Sequence, residues 1–379
     1  MDELDAVLGL VTAGAVAAAL TPLTARFARA VGAVDRPRER GLSLRATPLL
    51  GGLAILAGVL VASLIFLEPG KEMRGILAGA ITITLIGALD DRFDLHAAVK
   101  LAGQVAAAAI PVACGVSVEN VTIPFLGAID FGAVGEPLTV LGLVAVMNVV
   151  NFSDGIDGLA AGVCAIAAAA FSVIAFDLGR DSAGVLAAIV AGAAIGFLFW
   201  NFHPASVFMG DTGALLLGLL LGCIAVQGSL KTNAILALIF PLIVLAVPFL
   251  DTTFVVLKRM KYRRPVYSAD RWHLHHRLAN LGFSQRRAVL YLYAWTLCQA
   301  GLALALRFVP YSDNGGSFHL GWSLVMAALG LLALAASVYL VYVLEILKFR
   351  RRFARRKPDA TEDEIEQQLE TGEFDAVSG

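Results

Sequence analysis

The sequence predicts an all-α polytopic membrane protein of about eleven transmembrane helices, N-terminus outside and C-terminus cytoplasmic, with a small extracytoplasmic β-hairpin. Three observations predict it. The 379 residues are 58% hydrophobic and only 16% charged, whereas a soluble domain carries about 25% charged residues. Apolar runs of about 17 to 25 residues recur along the chain, each long enough to cross a bilayer. Basic residues are also lopsided: 24 of the 29 Lys and Arg fall in alternate loops, which assigns those loops to the cytoplasm.

In chain order the expected spans cover residues 6–25, 49–67, 73–89, 97–116, 137–150, 158–176, 184–200, 212–229, 233–257, 288–309 and 320–347. The start, Met-Asp-Glu-Leu-Asp, lacks the basic region of a signal peptide, so the first span is expected to be retained. Residues 118–131 alternate β-branched, aromatic and turn residues, the pattern of a hairpin. Gly192/Gly196 and Gly218/Gly222 are small-residue pairs suited to close helix packing. Cys114, Cys164, Cys223 and Cys298 lie singly in apolar spans and read as small hydrophobes, not as disulfides or a zinc site. Residues 1–347 thus form one transmembrane domain with cytoplasmic loops at 26–48, 90–100, 148–158, 200–213 and 258–287. A basic juxtamembrane segment, 348–357, is suited to anionic membrane lipid, and the acidic tail 358–379 is expected to be disordered.

The polar segments all fall on the cytoplasmic side. Residues 148–158 hold Asn148, Asn151, Asp154 and Asp157, with Gly155 and Gly158 allowing close backbone approach. Helix capping is the plain alternative for such a cluster. Asp90 and Asp91 are adjacent, so on a helix they serve different partners: one a metal or phosphate, the other a cation such as Lys100. Asp211 lies near a helix start, where capping is again the ordinary explanation; Phe208 is interfacial packing or a platform for a flat base. Asn201 has the donor and acceptor to read a pyrimidine edge. Residues 262–280 interleave Arg271 and three other arginines with His273, His275 and His276, a pattern better suited to a diphosphate than to zinc. Carboxylates, basic residues and a deep apolar body together describe phosphoryl transfer between a soluble nucleotide and a lipid. A secondary transporter is the alternative from another class, but its acids would lie near the midplane, often with repeats; here they sit at span ends and no repeat is visible.

In five ordered motifs the chain resembles the polyprenyl-phosphate N-acetylhexosamine-1-phosphate transferases, a superfamily that includes the phospho-MurNAc-pentapeptide translocases. The motifs are Asp35-x-Pro37-x-x-Arg40 with Pro48-x-x-Gly51-Gly52; Asp90-Asp91 with Lys100; Asn148-x-x-Asn151-x-x-Asp154-Gly155-Ile156-Asp157-Gly158; Phe208-Met209-Gly210-Asp211-x-Gly213; and His273-x-His275-His276. The last resembles the branch that uses UDP-N-acetylglucosamine, because the translocases typically show three consecutive histidines. One departure stands out. Gly41 and Ser43 occupy positions where the family often has Lys and His, leaving Arg45 as the basic residue that replaces them.

The resemblance implies transfer of N-acetylglucosamine-1-phosphate from UDP-GlcNAc to undecaprenyl or decaprenyl phosphate, giving polyprenyl-diphosphate-GlcNAc and UMP. Another UDP-HexNAc or UDP-MurNAc-pentapeptide is the alternative donor. It implies Mg²⁺, with Mn²⁺ as a substitute, on Asp211, Asp91 and Asp154, and catalytic roles for Asp90, Asp91, Asp154, Asp211 and Lys100. Asn148, Asn151, Asp157, Asn201, Phe208, Gly210, Arg271, His273, His275, His276 and Arg45 are then the expected substrate-binding residues. A plasma-membrane location, an active site facing the cytoplasm and a homodimer are implied as well; no nucleic-acid partner is expected.

Overall fold

The computed structural model describes residues 2–35, 46–118, 120–123, 127–229, 284–309 and 319–356. The expected ninth span, Arg45, the segment carrying Arg271, His273, His275 and His276, and the acidic tail lie outside the described residues. Ten helices are described: α1 (Glu3–Val31), α2 (Gly52–Phe66), α3 (Lys71–Phe93), α4 (Ala97–Ala113), α5 (Gly135–Ser153), α6 (Leu159–Asp177), α7 (Asp181–Asn201), α8 (Gly210–Ser229), α9 (Gln285–Phe308) and α10 (Leu320–Arg356). Eight of them are long and apolar enough to cross a membrane, which makes the chain a mostly helical, polytopic membrane protein. Two short antiparallel pairs accompany them: β1 (Val34–Asp35) with β2 (Thr47–Pro48), and β3 (Asn120–Ile123) with β4 (Gly127–Asp130).

Local chemistry explains where the helix ends depart from the apolar runs. The first run predicts 6–25, yet α1 extends further at both ends. Asp2 and Asp5 each accept the other's backbone N–H at 3.0 Å, a reciprocal cap, and Gly32 at φ +78° closes the last turn. α2 begins at Gly52, three residues into the run expected at 49–67, because residues 47–52 pair with a distant loop instead. Phe208 N donates to Pro48 O at 2.9 Å, Gly51 N to Phe208 O at 3.1 Å and Gly52 N to Met209 O at 3.2 Å. α10 runs beyond 347 to Arg356, so most of the basic segment continues the last span as helix. Cys164 and Cys223 are buried as expected, but Cys298 is exposed.

Glycines set the spacing of the helices that carry the cleft. α1 lies along α7, where side chains on Gly192 and Gly196 would strike the backbone carbonyls of Leu10 and Gly14. α8 packs between α3 and α5; a Cβ on Gly218 would come within 2.5 Å of Met147 Cα, and one on Gly87 within 2.6 Å of Thr212 Cα. Leu215, Leu216, Leu217, Leu219, Leu220 and Leu221 on α8 are all 0% exposed, so this helix is the axis of the core. Its start, Gly210–Gly213, thereby becomes a fixed point.

Candidate active cleft

A cavity of about 960 Å³ opens where α3, α5, α7 and α8 end together. Asp91, Asn151, Asp154, Asp157, Asn201, Phe208, Gly210 and Asp211 all line it, so with Pro48, residues from four of the sequence motifs meet at one place. Thr47 and Pro48 supply a further wall. Asp91, Asp154 and Asp211 therefore share one cleft, although their side chains are engaged differently.

Asp211 is the hub. Asn151 Nδ2 donates to its Oδ1 at 2.6 Å, and the Lys100 ammonium pairs with its Oδ2. Lys100 also pairs with Asp90 Oδ2 at 2.9 Å, so one lysine links the ends of α3 and α8. Asp90 Oδ1 accepts from Leu95 N at 2.8 Å, which steadies the turn between α3 and α4. The Lys100 charge thus offsets two carboxylates that would otherwise repel at the span ends.

Asp91 is engaged differently. Its Oδ1 accepts from Asp211 N at 2.9 Å, and its Oδ2 accepts from Thr212 N at 3.1 Å and from the Thr212 hydroxyl. A carboxylate so placed caps the first turn of α8 from a neighbouring helix, satisfying amides that have no intrahelical partner. Gly210, at φ +68°, leaves room for it, because an added Cβ would overlap the Asp91 carboxylate. Both oxygens of Asp91, expected from the sequence as a metal ligand, thus accept from the protein's own donors.

Two amides are likewise engaged by the protein itself. Asn148 and Gln104 exchange side-chain hydrogen bonds at 2.7 and 3.3 Å, and Asn148 Nδ2 also reaches Val144 O. Gln104 is 0% exposed, so the pair is a polar lock between α4 and α5. Asn201 is 3% exposed; its Oδ1 accepts from Gly158 N at 3.0 Å and its Nδ2 donates to Val207 O at 3.0 Å. It ties the base of the cleft together.

Asp154 differs from all of these. It caps the end of α5, lines the cleft, and its carboxylate has no partner among the described residues. Burial pushes its pKa up to about 7, and the Asp91 and Asp157 carboxylates add to the rise. Asp157 is half committed: its Oδ2 accepts from His203 Nδ1 at 2.7 Å and from Ala205 N at 3.0 Å. Sequence reasoning missed His203 and Arg29, both of which line the cleft. His203 follows Asn201 by two residues and carried a signal only in its company; Arg29, in the last turn of α1, carried none.

Among the described residues no three Asp, Glu, His or Cys side chains form a ready-made metal cage. Oxygen donors nonetheless suit Mg²⁺, which usually takes one or two protein carboxylates and completes its shell from substrate phosphates and water. Asp211, and Asp154 with no partner among the described residues, fit that pattern.

The model of a protein family described as glycosyl transferase family 4 matches residues 73–229. A probable undecaprenyl-phosphate N-acetylglucosaminyl 1-phosphate transferase of Bacillus subtilis is 39% identical over 72% of this chain and 77% of its own length. A decaprenyl-phosphate N-acetylglucosaminephosphotransferase of Mycolicibacterium smegmatis is 38% identical over 79% of this chain and 83% of its own length. A phospho-N-acetylmuramoyl-pentapeptide-transferase of Moorella thermoacetica is 33% identical over 80% of this chain and 99% of its own. Helical membrane architecture, a cleft lined by four of the expected motifs and this extent of similarity agree: the chain belongs to glycosyl transferase family 4.

Proposed function

We propose that this protein transfers N-acetylglucosamine-1-phosphate from UDP-GlcNAc to a polyprenyl phosphate, releasing UMP, at a cytoplasmic cleft of the plasma membrane. The observation that carries the reading is the meeting of Asp154, Asp211, Asn151 and Phe208 in one cleft of about 960 Å³ at the ends of apolar helices. Similarity to the GlcNAc-phosphate transferases, at 37 to 39% identity, exceeds the 33 to 34% to the muramoyl-pentapeptide enzymes and supports GlcNAc as the transferred sugar.

An oxygen of the polyprenyl phosphate attacks the β-phosphorus of the sugar nucleotide as the bond to the bridging oxygen breaks, and UMP departs. A phosphate monoester has a second pKa near about 6, so it is largely ionised at neutral pH and needs placement more than deprotonation. Mg²⁺ held by Asp211 and Asp154, when bound, offsets the diphosphate charge. Lys100 and Asn151 fix the orientation of Asp211, so the cleft is preorganised before substrate arrives. Phe208 offers its face to the uracil, and Arg29 lies on the wall as a cation for phosphate.

The test is purified protein in lipid nanodiscs with UDP-GlcNAc, undecaprenyl phosphate and Mg²⁺, following UMP and the lipid-linked product. UMP formation that needs both substrates and stops with EDTA is expected. Turnover of UDP-MurNAc-pentapeptide but not UDP-GlcNAc would overturn the donor assignment. No turnover, with solute uptake that survives Asp211→Ala, would restore the transporter alternative.

A further inference from the structure

α9 lies outside the segment matched by the family model, yet it reaches the cleft at two points. Arg286 Nε donates to His203 O at 2.9 Å, and the Tyr293 hydroxyl donates to Gly158 O. The two residues are seven apart, two turns on one helix face. Each grips the backbone of a different cleft loop, the one carrying Phe208 and Asp211 and the one carrying Asp154 and Asp157. The Tyr293 ring sits in a notch of glycine. A side chain on Gly162 would overlap the phenol, and one on Gly158 would approach its oxygen within 3.3 Å. Gly158, at φ +80°, is held on its other side by Asn201, so its N–H and C=O are gripped from α7 and from α9.

We propose that α9 is the clamp that sets the spacing of the two cleft loops, with Arg286 and Tyr293 as positioning residues for the nucleotide-diphosphate end of the donor. Neither need touch the donor: each acts through the carbonyl it holds, and the Asp157–His203 contact closes the same span from inside the cleft. An anchor that served folding alone could rest anywhere on α6. This one ends on the residue from which α6 starts, next to the carboxylates. The proposal rests on reading the cleft as the donor site.

Tyr293→Phe keeps the ring and removes one hydrogen bond; Arg286→Gln removes the other. Each is expected to raise the donor KM and the Kd for UMP by about three- to tenfold, the ratio one net hydrogen bond is worth. The acceptor KM should stay unchanged and Tm should fall by no more than about 2 °C. Gly162→Ala should reproduce the effect by displacing the ring. Hydrogen exchange on the same full-length proteins, without substrate, should be faster at residues 155–158 for Tyr293→Phe and at 203–206 for Arg286→Gln. Unchanged exchange there would overturn the clamp, whatever the protein's reaction. Faster exchange with unchanged donor KM and UMP Kd would overturn the link to the donor, as would equal losses against donor and acceptor in step with Tm.

Discussion

Replacing Asp91 by alanine tests whether that carboxylate holds helix α8 or a metal. The wild-type side chain accepts Asp211 N–H at 2.9 Å, Thr212 N–H at 3.1 Å and the Thr212 hydroxyl. A hydrogen bond to a charged acceptor is worth about 1.5 to 3 kcal/mol, and loss of a helix cap about 0.5 to 2 kcal/mol. The three bonds share one carboxylate whose desolvation opposes them, so a plain sum would overshoot. A net loss of about 2 to 3 kcal/mol follows, a fall in Tm of about 3 °C. Activity should fall as well, by about ten- to a hundredfold. Asp211 is carried on one of the amides released, and a misplacement of about 1 Å in a reacting group costs that much.

The assay that separates the two roles is a Mg²⁺ titration at saturating substrates, paired with thermal unfolding in the same detergent. A cap variant loses kcat and Tm while its half-saturating Mg²⁺ stays within about twofold of wild type. Asp91→Asn, which keeps an oxygen for one of the amides, should fall between wild type and alanine in both readouts. Gly210→Ala pushes a Cβ against the same carboxylate and should resemble Asp91→Ala. If Asp91→Ala kept its Tm and needed far more Mg²⁺, the carboxylate would be a ligand and the capping argument would be wrong.

Two further outcomes follow from the other engaged groups. Asn148→Ala leaves the buried Gln104 amide without its partner, so thermal unfolding should show a loss of about 1 to 3 kcal/mol. Asn148→Ala/Gln104→Ala should recover part of that loss, and neither variant should change the donor KM. Asp154 governs a pH effect. Its folded pKa, raised from 3.8 to about 7, exceeds the unfolded value, so the folded state holds that proton more tightly. The resulting stabilisation is full below about pH 4 and lost as pH rises through about 7. In EDTA, Tm should therefore decline between pH 5 and 8, and Asp154→Asn should flatten that decline; an unchanged slope would refute it.

The fold class was legible because a bilayer leaves few choices. Apolar runs mark spans, and the helices of the structure coincide with them except where a cap, a glycine or a strand pair moves an end. The meeting of the motif residues was legible too, since polar groups at span ends need partners. What remained hidden was the identity of those partners. Asp91 and Asp211 lie 120 residues apart in sequence, and nothing local indicates that one caps the other's helix. Gln104, deep in an apolar run, gave no sign that it would pair with Asn148. Tyr293 and Arg286 sit on an ordinary hydrophobic helix, and their function depends on where α9 docks.

The same physics explains why a motif rich in Asp and Asn yields few open side chains. Each carboxylate or amide at a span end must be hydrogen-bonded or paired before it is buried, and the nearest partners are the other motif residues. Asp91, Asn148, Asn201 and Asp211 have partners on both side-chain polar atoms, and Asp157 on one oxygen. Asp154 alone among these lines the cleft without a described partner, and its raised pKa records the uncompensated burial. Among the described residues, Asp154 is the motif carboxylate left without a partner, which biases it toward a cationic ligand. Asp154→Asn should therefore weaken Mg²⁺-dependent turnover more through the Mg²⁺ requirement than through Tm, the reverse of the order expected for Asp91→Ala.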